Sequence, residues 1–365
     1  MGVFPGLGEY SMTSLPGSNG VPEWTPPADA DGSVLIDVIR GDLVESRHRG
    51  VAAVVDAQGE LIRGWGDIDR LTFPRSAFKP LQALPLVETG AVERFELTQA
   101  ELALACASHN GEAAHVETVT RWLDRIGLDE HALDCGSHLP IHEASAHALL
   151  RAGEKPRTVH NNCSGKHTGM LTHTLHMGES PTGYLHPGHP AQVRIRQALE
   201  EMVGQPLAES PRGVDGCGAP QYGMSMRALA LGMARMADPD RLPAKRKEAV
   251  LRIIAAITAE PYMIAGSGRF CTAVNQVTQG RVLAKAGAEG VYAVMIPERG
   301  WGLALKIDDG AARPRDVAVG AILRELGILG EGDWRELRSY VAPTTRNHAG
   351  VEVGAIRPGA GWLHP

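Results

Sequence analysis

Arg75-Ser76-Ala77-Phe78-Lys79-Pro80 opens the first helical stretch of the chain. A serine followed three residues later by a lysine places both side chains on one face of a helix, one turn apart, where the amine can take the hydroxyl proton. That is a nucleophile with its base built in. The texture of the sequence changes at this point, and the change decides the fold. Upstream, residues 34–39, 43–49 and 51–55 are branched apolar runs split by Arg40-Gly41-Asp42 and Asp56-Ala57-Gln58-Gly59, which are hairpin signals. Downstream, helices are expected at about 76–89, 98–107, 112–126, 143–152, 166–177, 189–203, 221–236 and 243–259, separated by Gly, Pro and Asn clusters. Beyond Gly268 strands are expected again at 272–278, 282–286, 291–297 and 302–307, followed by a helix at about 315–327.

Neither set of strands can bury a face alone, so the economical arrangement is one antiparallel sheet built from both chain ends. The expected fold class is therefore α/β (α+β): N- and C-terminal strands in one sheet, flanking helices, and an inserted helical region. Within the 365 residues the reading places a flexible N-terminal arm at 1–30 and a single catalytic domain at 31–345. Sheet strands come from 33–66 and 268–310 and the helical region spans 75–260, while 346–365 reads as an irregular C-terminal tail.

The formal net charge is −6, with 36 Lys+Arg against 42 Asp+Glu and no long run of either sign. That leaves no electrostatic footprint for nucleic acid or an anionic membrane, and small-molecule chemistry is the default. No uncharged apolar run approaches the ~18 residues of a membrane span, and the Gly-, Pro- and Ser-rich start lacks the basic and apolar regions of a signal peptide. A cytoplasmic protein is expected. Five widely spread cysteines (Cys106, Cys135, Cys163, Cys217 and Cys271) argue for reduced thiols or metal ligands, not a disulfide framework.

Three short signals occur in chain order: Ser76-x-x-Lys79, Ser108-His109-Asn110 after the second helix, and Lys285-Ala286-Gly287 on a late strand. Singly each is common by chance. Their order and placement match the Ser-x-x-Lys, Ser-x-Asn and Lys-x-Gly elements of serine β-lactamases and penicillin-binding proteins. In that reading Ser76 attacks a carbonyl with Lys79 as its base, Lys285 supplies the second cation that lowers a lysine pKa, and Ser108 relays a proton. Backbone N–H groups at the start of the Ser76 helix and on the strand after Lys285 are the candidate oxyanion donors.

A second constellation comprises Asn161-Asn162-Cys163-Ser164-Gly165-Lys166-His167 and Asp215-Gly216-Cys217-Gly218-Ala219-Pro220, both polar loops ahead of a helix. The first lacks the leading glycine and the Ser/Thr after lysine that a phosphate loop requires. Cys163 and Cys217 are open to two readings, as buried apolar residues or as ligands of Zn²⁺. His109, His115, His138, His142 and His147 have no helical His-x-x-x-His spacing with a carboxylate between and are read as solvated or structural. Arg75 is suited to grip a substrate carboxylate, and equally to a surface ion pair.

Taken together, Arg75–Pro80, Cys106-Ala-Ser-His-Asn-Gly-Glu112, His160-Asn-Asn-Cys-Ser-Gly-Lys-His-Thr-Gly-Met170, Asp215–Pro220 and Lys285-Ala-Gly-Ala-Glu-Gly290 closely resemble the Rhizobium etli type L-asparaginase family, over about residues 33–330. The resemblance implies a serine β-lactamase/glutaminase-like fold, a homodimer, and hydrolysis of L-asparagine to L-aspartate and ammonia through an acyl-enzyme. It implies two Ser-Lys pairs, Ser76 with Lys79 and Ser108 with Lys285. It also implies a Zn²⁺ held by Cys163, Lys166 and Cys217 that supports substrate binding, with Cys271 near the metal loop and Arg75, Asn110, His167 and Asp215 around the substrate. Arg75 would take the α-carboxylate and Asp215 the α-ammonium. Two other readings compete: a β-lactamase/penicillin-binding-protein-like acyl hydrolase or esterase resting on the three short signals alone, and a non-catalytic zinc-dependent binding protein.

Overall fold

The computed structural model describes residues 33–360, 362 and 363; the expected arm at 1–30 lies outside the described residues. Eight strands form the main sheet: β1 (Ser33–Arg40), β2 (Leu43–Asp56), β3 (Leu61–Trp65), β4 (Leu283–Ala286), β5 (Val291–Ile296), β6 (Trp301–Ile307), β7 (Thr344–Arg346) and β8 (Glu352–Pro358). Their order is β7-β8-β1-β2-β6-β5-β4, with β3 beside the second half of β2, and every pairing is antiparallel. The two chain ends meet where β2 pairs β6, from Asp56 against Trp301 to Gly50 against Ile307. The expectation of one sheet from both termini holds.

The long strand β2 shows how sequence pattern follows burial. Exposed and covered residues alternate along its first half, and from Gly50 to Val55 it is buried on both faces, where the sequence runs Val-Ala-Ala-Val-Val. Helix packing on the sheet is tight enough to require glycine at one point. A Cβ at Gly302 of β6 would lie 2.0 Å from the Ala230 carbonyl oxygen. The helix Met226–Ala237 therefore rests directly on the strand backbone.

The helices that position the site are α1 (Lys79–Gln82), α2 (Leu84–Glu88), α3 (Gln99–Ala105), α4 (Ala113–Arg125), α5 (Ser164–His176), α6 (Pro190–Val203), α7 (Met226–Ala237), α8 (Ala244–Ala259), α9 (Phe270–Thr278) and α10 (Arg313–Glu325). No helix among the described residues is long and apolar enough to cross a membrane.

Four sequence expectations need correction. The helix expected at 76–89 is a 3₁₀ turn, Arg75–Phe78, followed by α1 and α2, because Pro80 and Pro85 lack the N–H of a continuous helix and restart it instead. Residues 272–278, expected as a strand from their β-branched content, belong to α9; their buried set of Phe270, Cys271, Val274, Asn275 and Thr278 repeats at helical spacing. The helix expected from 221 begins only at Met226, where the Ser225 hydroxyl accepts the Ala228 N–H at 3.0 Å; Pro220–Tyr222 before it pairs with Arg212–Val214. The tail expected to be irregular from 346 contains β8, which covers the outer edge of β1 and so prevents a free strand edge there.

Candidate active site

Ser76 lies on the 3₁₀ turn, and Arg75 before it has φ of 50°, a left-handed conformation that residues with a Cβ seldom adopt. The chain leaving β4 crosses directly against this turn. A Cβ at Gly287 would lie 2.8 Å from the Pro74 carbonyl oxygen and 3.2 Å from the Ala77 nitrogen, so the approach needs glycine. The Gly287 N–H is engaged by the Val291 carbonyl at 2.8 Å. Among the described residues the N–H groups of Ser76 and Ala288, from the two segments that meet here, donate no backbone hydrogen bond. Backbone N–H groups of these two segments are therefore available where they meet.

Lys79, one turn on, does not bond Ser76. Its Nζ donates to the Ala107 carbonyl at 2.5 Å, to Ser108 Oγ at 2.9 Å and to Cys163 Sγ at 3.1 Å, which uses all three ammonium hydrogens. Lys285 Nζ, from the edge strand β4, also lies 2.9 Å from Ser108 Oγ and donates to the Ala286 carbonyl at 2.6 Å. One buried hydroxyl thus stands between two buried amines. Two ammonium ions cannot share so dry a site cheaply, and burial first, then the charge of Lys79, pushes the Lys285 amine down to about 7. The hydrogen bonding differs from the expected pairing: both lysines reach Ser108, and Ser76 is half-buried on the turn one helical step before Lys79.

The second constellation assembles as well. The sulfurs of Cys163 and Cys217 and a carboxylate oxygen of Asp215 lie within 4.8 Å of one another. Lys166 Nζ donates to Cys217 Sγ at 3.1 Å. Cys217 is pulled down to about 5, first by a hydrogen bond from Cys163 and then by the Lys166 charge opposing burial. Burial pulls the Lys166 amine down, but the Cys217 and Cys163 sulfurs and Asp215 together hold it up. The Asn161 carboxamide oxygen accepts the Cys163 N–H at 2.8 Å and fixes the loop. Two sulfurs with nitrogen and oxygen donors beside them are a donor set that suits Zn²⁺. The structure adds Asp215 to the expected ligand types, and Lys166 would have to shed its proton to bind a metal.

Arg75 and Asp215 face one another. Arg75 Nε and Nη2 both reach Asp215 Oδ1 at 2.8 Å, and Nη1 lies 3.9 Å from Glu289. Burial works against the Asp215 charge, but Lys166 and Arg75 outweigh it and hold the carboxyl below its ordinary range. His167 is fully buried, with Nδ1 2.6 Å from the Tyr184 hydroxyl and Nε2 without a partner among the described residues; burial drives it down to about 3, so it is neutral. Asn110 is committed to the protein: its amide donates to Glu112 and to the Ser267 carbonyl, and its oxygen accepts Arg269 at 2.8 Å. His109 and His115 are structural, their rings stacked 4.9 Å apart, and His147 is exposed.

Sequence reasoning missed Tyr184, Glu112, Ser267 and Arg269, which hold His167 and Asn110 in place. Glu112 lay inside a quoted motif, whereas Tyr184, Ser267 and Arg269 stand alone in loops and carry no local signal.

The solved structures that the chain resembles include a β-lactamase from Mycobacterium bovis, 15% identical with 76% of this chain and 94% of that chain covered at a TM-score of 0.39. Another is a D-alanine carboxypeptidase from Burkholderia cenocepacia, 13% identical with 77% and 93% covered at a TM-score of 0.39. These likenesses are remote and carry no inference about chemistry. No curated protein sequence matches the chain. The model of the L-asparaginase II family matches residues 36–358, which takes in the 3₁₀ turn of Ser76, both lysines and the cysteine loops. The chain belongs to the L-asparaginase II family.

Proposed function

We propose that the protein hydrolyses L-asparagine to L-aspartate and ammonia through an acyl-enzyme on Ser76. Family membership supports a hydrolase acting on amides. The observation that carries the mechanism is the Ser108 hydroxyl held 2.9 Å from each of two buried amines.

Ser76 Oγ attacks the side-chain amide carbon, and the C=O electrons move to an oxygen that the Ser76 and Ala288 N–H groups receive. The Ser76 proton passes through Ser108 Oγ to neutral Lys285. Lys285 returns a proton by the same route to the amide nitrogen as the C–N bond breaks, and ammonia leaves. Water then attacks the ester and gives its proton along the same path to Lys285, which returns it to Ser76 Oγ as the ester C–O bond breaks and aspartate is released. Lys79 orients Ser108, and its charge disfavours a proton on Lys285.

Substrate selection follows from the Arg75–Asp215 pair. Both Arg75 contacts fall on one Asp215 oxygen; Nη1, 3.9 Å from Glu289, and Oδ2, which accepts only a long 3.8 Å contact from Cys217 Sγ, have capacity to meet the carboxylate and ammonium of an α-amino acid. Asn110 keeps the Ser108 loop in place, and His167 offers a neutral nitrogen. A bound Zn²⁺ would be held by Cys163, Cys217 and deprotonated Lys166, beside Asp215, and would supply positive charge that draws the anionic parts of the substrate. Glutamine, one methylene longer, misplaces either the charged pair or the amide. Purified protein should release ammonia from L-asparagine at least about 10²-fold faster than from L-glutamine. Turnover of a chromogenic β-lactam or ester with no ammonia from asparagine would overturn the reading.

A further inference from the structure

Lys285 sits on β4, the last strand at one edge of the sheet. Such an edge presents a row of unpaired N–H and C=O groups. Here α9 covers it in place of a further strand. Asn275 Oδ1 accepts the Ala284 N–H at 2.8 Å, and Cys271 Sγ accepts the Ala286 N–H at 3.2 Å. The two acceptors stand four residues apart on one face of α9, and the two donors flank Lys285. The strand is therefore pinned on both sides of the residue whose amine reaches Ser108.

The identity of Asn275 is informative. It is 1% exposed, and its Nδ2 has no hydrogen-bond partner among the described residues. An aspartate would accept the same N–H and orphan no donor, but at this burial it would have to desolvate a carboxylate. What aspartate would add is a negative charge one residue from Lys285, and a nearby carboxylate holds an amine protonated. We propose that Asn275 is a positioning residue for Lys285: its oxygen fixes the strand beneath the amine while bringing no charge that would hold the proton there.

The charged and titratable groups facing Lys285 include Lys79 from α1, Arg269 just before α9, Cys271 within it, Cys163 ahead of α5 and Cys106 at the end of α3. Lys79 and Arg269 push the amine toward neutrality, the sulfurs oppose them, and Asn275 leaves that balance alone. The inference rests on Lys285 acting as the base.

Asn275→Asp and Asn275→Ala, purified as the full chain, test it. In Asn275→Asp the acid limb of kcat/KM for asparagine should move up by about one pH unit. In Asn275→Ala the limb should stay in place while kcat falls about 10-fold as the strand loosens. If both variants lose activity equally at every pH with the limb unmoved, Asn275 is merely structural and the proposal is overturned. A second readout needs no turnover: ¹³C NMR titration of Lys285 in the wild-type protein, assigned by comparison with Lys285→Arg. A lysine titrating in the ordinary range overturns the proposal. A chain without amidase activity, whose Lys285 titrates low and rises in Asn275→Asp, would sink the asparaginase reading and leave this one standing.

Discussion

The turn at Arg75–Phe78 and the edge strand Leu283–Ala286 each bring chemistry to one site, and their lysines fare differently. Lys79, three residues from Ser76, has given its three N–H groups to Ala107, Ser108 and Cys163. Lys285, from the far end of the chain, bonds Ser108 and the Ala286 carbonyl among the described residues, and its proton is loosely held. Nearness in sequence identified the amine that orients. Burial, with the charge of Lys79 beside it, made a base of the distant one.

Four changes would break or sharpen this contrast. The largest effect belongs to the serines: Ser76→Ala and Ser108→Ala should each lower kcat by roughly 10³-fold or more, because each breaks the path from attacking oxygen to base. Single-turnover ammonia release checks this, and a fully active Ser108→Ala would show that the relay is not used. Next, Lys285→Arg should lower kcat by roughly 10²–10⁴-fold and flatten the acid limb near pH 7, since guanidinium cannot accept the proton. Lys79→Met should act more gently on rate but raise the pH of that limb by about one unit, because the repelling cation is gone. Equal pH profiles for Lys79→Met and wild type would erase the division of labour between the two amines. In the fourth, Cys163→Ser or Cys217→Ser should lose zinc by metal analysis and raise KM roughly 10-fold with kcat little changed. Wild-type protein that is zinc-free when purified without chelator would remove the metal from the account.

The smallest effect is on stability, and its sign follows from linkage. Burial and the Lys79 charge push Lys285 down to about 7 in the folded chain, against the ordinary value near 10.4 when unfolded. Between those values the unfolded chain binds more protons, so this lysine's contribution to stability rises with pH from about 7 to ~10 and is least favourable below about 7. Lys285→Met should therefore raise Tm more at pH 6 than at pH 10. A pH-independent gain would mean that the amine is not depressed.

Much of the sheet was legible because period-two and continuous apolar runs survive in a single sequence, as in β2. The residues 272–278 misled because Thr, Val and Thr favour strands in isolation, and only the packing of Cys271 and Asn275 against β4 makes them helical. Ser76, Ser108 and Lys285 were legible as short motifs. The partner of Lys79 was not, because hydrogen bonding across the 29 positions to Ser108 is set by how α1 and the end of α3 pack. Arg75 and Asp215 were read as separate grips on a ligand, while the structure joins them at 2.8 Å.

The central claim is that Ser76 attacks while Ser108 carries the proton to Lys285. A diazoketone analogue of L-asparagine, reacted with wild-type protein and mapped by peptide mass spectrometry, tests it most directly. The label is predicted on the peptide containing Ser76, formed more slowly in Ser108→Ala. A label on Ser108, formed at an unchanged rate in Ser76→Ala, would contradict the account.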